Sequence, residues 1–145
     1  MFSTRLTPMR SSKSPDIELK PNESVDAFME GRLRLIQSKG GYRFSIDAIF
    51  LAEFVSTKPG NVVVDLGTGC GIIALLLLQK RPIRYALGLE IQRDLADQAR
   101  RNVLLNGAEG RMGVIVGISV ARPWHWERRM WWFAIHRIAR RRAAE

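Results

Sequence analysis

A glycine-rich loop in the middle of the chain constrains the fold more than any other feature. A β-branched run at residues 62–64 leads to Asp65, and Gly67, Gly69 and Gly71 then alternate with other residues before an apolar run. This order predicts a buried strand, a tight turn and a helix N-terminus, where main-chain N–H groups approach a bound ligand closely. The glycines provide backbone angles that other residues avoid. We therefore expect a nucleotide-type site, the alternative being an ordinary strand-to-helix turn.

An acidic residue at the end of the next predicted strand strengthens that expectation. Residues 85–90 are mostly apolar and end in Glu90. The carboxyl ends of parallel strands meet at one edge of a sheet, where a carboxylate can accept both hydroxyls of a nucleoside ribose. We expect Glu90 to take this role, the alternative being a surface glutamate.

Strand and helix patterns alternate through the middle of the chain and predict an α/β fold. Strands are expected at 61–65, 85–90 and 111–118, with helices at about 72–80 and 93–105 between them. This alternation is typical of a parallel sheet with crossover helices, which is the arrangement of a Rossmann-like domain.

A hairpin and a helix are predicted before this domain. Residues 31–37 alternate enough to form a strand, residues 38–41 form a turn, and residues 42–44 form the returning strand. Ser45 is placed to cap a helix that continues to about residue 55. The apolar stripe expected to face the core comprises Ile46, Ile49, Phe50 and Phe54.

The amino-acid composition indicates the cellular compartment and the kind of binding partner to expect. The 145 residues carry a net charge of +9, with the basic excess concentrated after residue 107, which favours an anionic partner such as nucleic acid. A single cysteine excludes an intrachain disulfide, and we expect a reducing, cytoplasmic setting. We expect no signal peptide and no stable membrane insertion, because the longest apolar run, 72–78, is too short to span a bilayer. No metal site is predicted, and the oligomeric state stays open.

The glycine loop resembles the first motif of the class I S-adenosylmethionine-dependent methyltransferases. An acid precedes a Gly-x-Gly-x-Gly pattern, whereas nicotinamide-binding loops usually follow an apolar residue. The resemblance implies the cofactor S-adenosyl-L-methionine, with the loop around its methionine part, Asp65 near its ammonium group and Glu90 on its ribose. The implied loop contacts are Gly67, Thr68, Gly69 and Gly71.

The segment before the loop sharpens the resemblance. Residues 31–37 and 41–52 look like the corresponding region of the small-domain methyltransferases, closest to the tRNA (adenine-N6)-methyltransferases that modify a valine tRNA. In such proteins this hairpin and helix cover the cofactor, and tRNA is the substrate. The further candidate contacts implied are Gln37, Tyr42, Phe44, Ser45 and Asp47, although Ser45 can also be only a cap and Phe44 only core.

The sequence departs from the family pattern after Gly117. The acid expected after the third strand is absent, and so is the Asn-Pro-Pro-Tyr motif that holds the target amine and stacks on the flipped base. We therefore expect that the catalytic half is missing, that no catalytic residue is present, that this chain is inactive, and that the edge of the first strand of the sheet is unpaired. The predicted segments are a flexible polar arm (1–22), a hairpin and helix (23–58), the cofactor-binding half (59–117) and a C-terminal tail (118–145).

The C-terminal tail allows two interpretations besides a frayed or collapsed helix that only covers the exposed edge of the sheet. Its richness in Arg and Trp favours translation in a non-native reading frame. Alternatively, Trp131, Ala134, Ile135, Ile138 and Ala139 lie at helical spacing among arginines and predict a basic amphipathic helix. The second interpretation leads to a non-enzymatic RNA- or membrane-surface-binding protein with a remnant cofactor loop. Within the enzyme class, a protein glutamine or an rRNA guanine is an alternative acceptor.

Overall fold

The computed structural model describes residues 17–40 and 43–117, together with the backbone of residues 130–134. These parts of the chain contain three helices and six strands, and the strands form a two-stranded hairpin and a four-stranded sheet. The elements are β1 (Glu23–Phe28), β2 (Leu33–Ser38), α1 (Ile46–Phe54), β3 (Val62–Leu66), α2 (Ile72–Lys80), β4 (Tyr85–Glu90), α3 (Arg93–Leu105), β5 (Met112–Val116) and β6 (Met130–Ala134).

The sheet confirms the predicted α/β class. Its strand order is β5-β4-β3-β6, and every neighbouring pair is parallel. The connections through α2 and α3 are the crossover helices that a parallel sheet requires. All residues of α2 from Ile72 to Leu78 are buried, because this helix contacts α1, β2, β3 and β4. An apolar run without a polar face is what such an enclosed helix needs.

The N-terminal hairpin exists, but its predicted pairing is wrong. β2 pairs antiparallel with the upstream β1, in a register from Glu23 opposite Ser38 to Phe28 opposite Leu33, whereas residues 43 and 44 belong to no strand. The turn needs positive φ at Met29 (52°) and Glu30 (59°), which non-glycine residues rarely adopt. The other edge of β2 is occupied by asparagine side chains of α3, so no returning strand forms there.

Helix α1 begins after Ser45 as predicted, but its buried face differs. Ile46, Phe50 and Phe54 are 63%, 55% and 84% exposed, whereas Ala52 is buried and Ile49 is only partly buried. The helix is apolar on several sides, so sequence periodicity does not define which face packs on α2. Of the predicted stripe, only Ile49 therefore packs against the core.

Strand β6 occupies the edge of β3 that was expected to be unpaired. Residues Met130–Ala134 run parallel to β3, from Val62 opposite Met130 to Leu66 opposite Ala134. The prediction of an unpaired edge is therefore wrong, and so is the predicted helix at Trp131 and Ala134. Aromatic residues favour strands, and a free ladder of N–H and C=O groups on β3 favours pairing. The rest of the predicted tail helix lies outside the described residues.

Within residues 17–40, 43–117 and 130–134, no helix is long and apolar enough to cross a membrane. The longest of these helices, α3, has 13 residues.

Candidate functional site

The glycine loop joins β3 to α2 in the geometry that its sequence predicts. Gly67, Gly69 and Gly71 have φ values of 78°, 59° and 88°, a region that favours glycine. Gly71 is also the N-cap residue of α2. Its N–H donates to the carbonyl of Thr68 at 2.9 Å, which closes the turn. The loop therefore needs its glycines for conformation, whatever it binds.

Asp65 is the penultimate residue of β3, beneath the loop, and is almost fully enclosed. It is 2% exposed, and its Oδ2 accepts a hydrogen bond from the Thr68 hydroxyl at 2.8 Å. Among the described residues its Oδ1 makes no hydrogen bond of normal geometry, although the Ala74 N–H is near enough to the carboxylate to lower its pKa. Burial raises the pKa of Asp65 to about 6, against the opposing effect of the Thr68 hydrogen bond. A buried carboxylate with an oxygen that lacks a normal hydrogen bond is suited to meet a cationic group.

Glu90 ends β4 and holds the loop from the neighbouring strand. Its Oε2 accepts a hydrogen bond from the Gly69 N–H at 2.9 Å, and its Oε1 accepts one from the Gln92 N–H at 2.9 Å. The side chain thus connects the loop to the start of α3, and it is 4% exposed as a whole residue. A carboxylate has about four acceptor positions, so both oxygens retain capacity for ligand hydroxyls.

Gln37 is buried at the end of β2, where its amide is already bonded. Its Oε1 accepts a hydrogen bond from the Phe44 N–H at 3.1 Å, and its Nε2 donates to Asp26 Oδ2 at 2.5 Å. Arg43 pairs with the same Asp26 carboxylate. Gln37 therefore fixes the segment that leads into α1.

The remaining candidates surround that segment. Phe44 is half-buried and meets Phe28 edge to face, with ring centroids 4.9 Å apart. The Ser45 hydroxyl donates to Asp47 Oδ2 at 3.0 Å and makes no cap hydrogen bond, although Ser45 is the N-cap residue of α1. Tyr42 lies outside the described residues.

The predicted residues fall into two groups. Asp65, the glycine loop and Glu90 form one hydrogen-bonded cluster at the carboxyl ends of β3 and β4. Gln37, Phe44, Ser45 and Asp47 form a second group at the junction of the hairpin and α1. In the described part of the chain, no group of three or more His, Cys, Asp or Glu side chains could hold a metal ion.

Two asparagines of α3 connect the elements around the loop, and sequence reasoning missed their role. Asn102 accepts a hydrogen bond from the Ile36 N–H at 2.6 Å and donates to the carbonyls of Ile36 at 3.1 Å and Cys70 at 2.9 Å. One turn later, Asn106 accepts from the Arg34 N–H at 3.0 Å and donates to the Arg34 carbonyl at 2.7 Å. Their spacing of four residues was the available signal, since it places both side chains on one face of a helix.

Known proteins with similar sequences include methyltransferases, which agrees with the nucleoside-type site indicated by the geometry. No protein-family model matches the chain. It is 29% identical over 90 residues to the tRNA1(Val) (adenine(37)-N6)-methyltransferase of Pedobacter heparinus, a match that covers 62% of this chain and 38% of that protein. It is 37% identical over 65 residues to the release factor glutamine methyltransferase of Agrobacterium fabrum, covering 45% of this chain and 22% of that protein.

A solved structure extends the comparison to the fold. The tRNA m1G37 methyltransferase of Methanocaldococcus jannaschii superposes with a TM-score of 0.54 at 18% identity, over 66% of this chain and 30% of that chain. The resemblance to the S-adenosylmethionine-dependent methyltransferases is confirmed. The fold, a parallel sheet with crossover helices behind an N-terminal hairpin and helix, is like that of Rossmann-like methyltransferases. The match spans 38% of the length of the Pedobacter relative.

Proposed function

We propose that this chain binds S-adenosyl-L-methionine and corresponds to the cofactor-binding half of a methyltransferase whose acceptor is the exocyclic amine of an adenine in tRNA. The observation that carries the proposal is the hydrogen bond from the Gly69 N–H to Glu90. It joins the glycine loop at the end of β3 to the acid at the end of β4, so that two groups suited to one nucleoside ligand lie side by side. An ordinary strand-to-helix turn does not require the second acid.

The roles proposed for the site follow from the chemistry of each group. Glu90 accepts the ribose hydroxyls through its remaining acceptor positions. Asp65 meets the methionine ammonium through its Oδ1. The main chain of Gly67, Thr68, Gly69 and Gly71 lies against the methionine part of the cofactor. Gln37, Phe44, Ser45 and Asp47 hold the segment that covers the cofactor. Tyr42 is a candidate cofactor contact on the family resemblance alone.

The cofactor supplies an activated methyl group, and the protein supplies position. When bound, the cofactor would supply a methyl group to the adenine amine as its sulfur leaves as a thioether, and the amine would lose one proton to solvent, so this transfer would need alignment more than a general base. The similarity of residues 31–52 to tRNA (adenine-N6)-methyltransferases supports the adenine acceptor, and so does the name of the Pedobacter relative. The similarity to a release factor glutamine methyltransferase keeps a protein glutamine as the second candidate acceptor.

Cofactor binding is the first test of the proposal. We expect S-adenosylhomocysteine to bind the purified chain in isothermal titration calorimetry, and Glu90→Gln to weaken binding at least about tenfold by removing the charged acceptor of the ribose. Glu109→Gln is the matched control, because Glu109 is an exposed glutamate in the turn before β5. Wild-type protein that shows no binding at millimolar ligand would overturn the proposal.

Methyl transfer is the second test. Because the 145 residues contain no Asn-Pro-Pro-Tyr motif, we expect this chain to bind the cofactor without transferring labelled methyl to unmodified tRNA. Incorporation into tRNA would show that the acceptor is right and the expected inactivity wrong, whereas incorporation into a release factor would favour the glutamine acceptor. Salt-dependent RNA binding that is lost on deletion of residues 118–145, without any cofactor binding, would support the non-enzymatic alternative.

A further inference from the structure

We infer that Asn102 is a positioning residue for the cofactor: its side-chain amide sets the orientation of the glycine loop relative to the hairpin and α1. The inference rests on the proposed function and adds a residue that the resemblance did not assign. Asn102 is fully buried, with 0% exposure, in the middle of the last two turns of α3. All hydrogen-bonding partners of its side chain are main-chain groups of β2 and the glycine loop.

The amide of Asn102 acts on a peptide bond within the loop. Its Nδ2 donates to the carbonyl of Cys70 at 2.9 Å, and the N–H of the same peptide unit, on Gly71, donates to the carbonyl of Thr68 at 2.9 Å. Both ends of this peptide unit are thereby fixed. The peptide unit between Thr68 and Gly69 is fixed as well, because its N–H donates to Glu90 and its carbonyl accepts from the Gly71 N–H. Glycines on both sides of Cys70 would otherwise allow this peptide to rotate at low cost.

The same amide also holds the strand that leads to the second group of candidate residues. Asn102 bonds both the N–H and the carbonyl of Ile36, which replaces the partner strand that β2 lacks on this edge. The next residue, Gln37, bonds the N–H of Phe44 immediately before α1. A continuous series of hydrogen bonds therefore runs from the Cys70 carbonyl through Asn102 and β2 to the start of α1.

Asn106 offers a matched control within the same helix. It bonds the N–H and carbonyl of Arg34 as Asn102 bonds those of Ile36, but its other donor bond goes to the carbonyl of Asn102 within α3. Asn106 therefore shares the docking of the hairpin and makes no contact with the loop. Any effect that Asn102 has through hairpin docking or stability alone must appear in an Asn106 variant too.

The test compares Asn102→Ala, Asn102→Asp and Asn106→Ala in the full chain. We expect both alanine variants to lower the melting temperature, because each leaves main-chain groups of β2 without partners. Only the Asn102 variants are expected to raise the Kd for S-adenosylhomocysteine, by at least about tenfold, since a net tenfold loss corresponds to one hydrogen bond. Asn102→Asp retains an acceptor for the Ile36 N–H but cannot donate to Cys70 as a carboxylate, so it should bind the ligand as weakly as Asn102→Ala.

A readout without ligand separates this inference from the proposed function. In wild-type protein, NMR should show slowly exchanging side-chain amide protons on Asn102, and amide exchange at Gly69 and Gly71 should accelerate in the Asn102 variants only. Equal Kd and exchange effects in Asn106→Ala, or Asn102 amide protons that exchange like those of an exposed asparagine, would overturn the inference, even if the variants do not fold. Absence of ligand binding in the wild type would contradict the proposed function and leave the exchange comparison to decide the role of Asn102 in the loop.

Discussion

Arg101 on α3 donates two parallel hydrogen bonds to the Glu23 carboxylate on β1, from Nη1 to Oε2 at 2.7 Å and from Nη2 to Oε1 at 2.6 Å. The Glu23 side chain is only 4% exposed and that of Arg101 is 15% exposed. The hydrogen bond with Arg101 is the main reason that the pKa of Glu23 falls to about 2. The pair fastens the hairpin to the same helix that carries Asn102 and Asn106.

Arg101→Met should strongly destabilise the protein at pH 7. It leaves a buried carboxylate without its partner, and we expect the free energy of unfolding to fall by about 3–5 kcal/mol. The folded pKa of Glu23 lies below the ordinary value of 4.5, so the stabilisation is present above pH 4.5 and is lost as the pH falls toward 2. Urea unfolding at pH 7 and pH 3 should therefore show a smaller penalty at pH 3. Arg100→Met, on the exposed face of α3, is the control, and an equal penalty in both variants would contradict this account.

Gly88→Ala should destabilise β4 where it crosses beneath the loop. A Cβ at this position would lie 2.7 Å from Thr68 Cγ2 and 2.9 Å from Thr68 Oγ1. Thr68 is buried and bonded to Asp65, so it cannot move aside freely. We expect a loss of about 1–3 kcal/mol in thermal or urea unfolding. Gly110→Ala meets nothing within 4 Å and should cost much less; similar losses in the two variants would disprove the contact.

The sequence allowed correct prediction of the central strands and helices because their signals are local. The glycine pattern, the acid at the end of β4 and the helical period of α3 lie within single elements or single turns. The hairpin pairing could not be obtained in this way, since the turn depends on positive φ at Met29 and Glu30 and on asparagines of α3 that cover the edge of β2. Tertiary contacts also decide which face of α1 is buried and where β6 pairs.

The candidate site shows the same division between local and long-range signals. The position of Glu90 at a strand end follows from its sequence pattern, but its hydrogen bonds to Gly69 and Gln92 depend on how two loops meet. The helix that carries Asn102 was predicted at about residues 93–105. The contact of Asn102 with Cys70 exists only because the hairpin and the loop pack on its side of that helix. The cofactor contacts assigned to individual residues stay predictions until binding is measured.

Cys70 should be unreactive toward thiol reagents in the folded protein. The residue is 1% exposed, and burial raises the pKa of its thiol to about 11, so very little thiolate forms at pH 8. It is the only cysteine in the sequence, which makes a colorimetric thiol assay specific for the loop. We expect reaction only on addition of denaturant, at a rate that follows unfolding. Fast reaction of native wild-type protein would show that the loop opens more readily than its hydrogen bonds imply.

Asp65 should make the protein less stable as the pH rises from about 4 to about 6. Its folded pKa of about 6 lies above the ordinary value of 3.8, so the folded state holds the proton more tightly than the unfolded chain does. The stabilisation is complete below pH 3.8 and is lost as the pH rises through 6, by an amount on the order of 3 kcal/mol. Asp65→Asn removes this ionisation while keeping an acceptor for Thr68.

The difference in unfolding free energy between Asp65→Asn and wild type isolates this effect from other carboxylates such as Glu23. Between pH 4 and pH 7, we expect the unfolding free energy of Asp65→Asn to rise relative to that of wild type, as measured by urea unfolding at several pH values. Glu109→Asn, an exposed substitution, should show no comparable shift. Saturating S-adenosylhomocysteine should reduce the shift if its ammonium group stabilises the ionised Asp65, as the proposed site requires. A difference that is constant from pH 4 to pH 7 would mean that Asp65 keeps an ordinary pKa despite its burial.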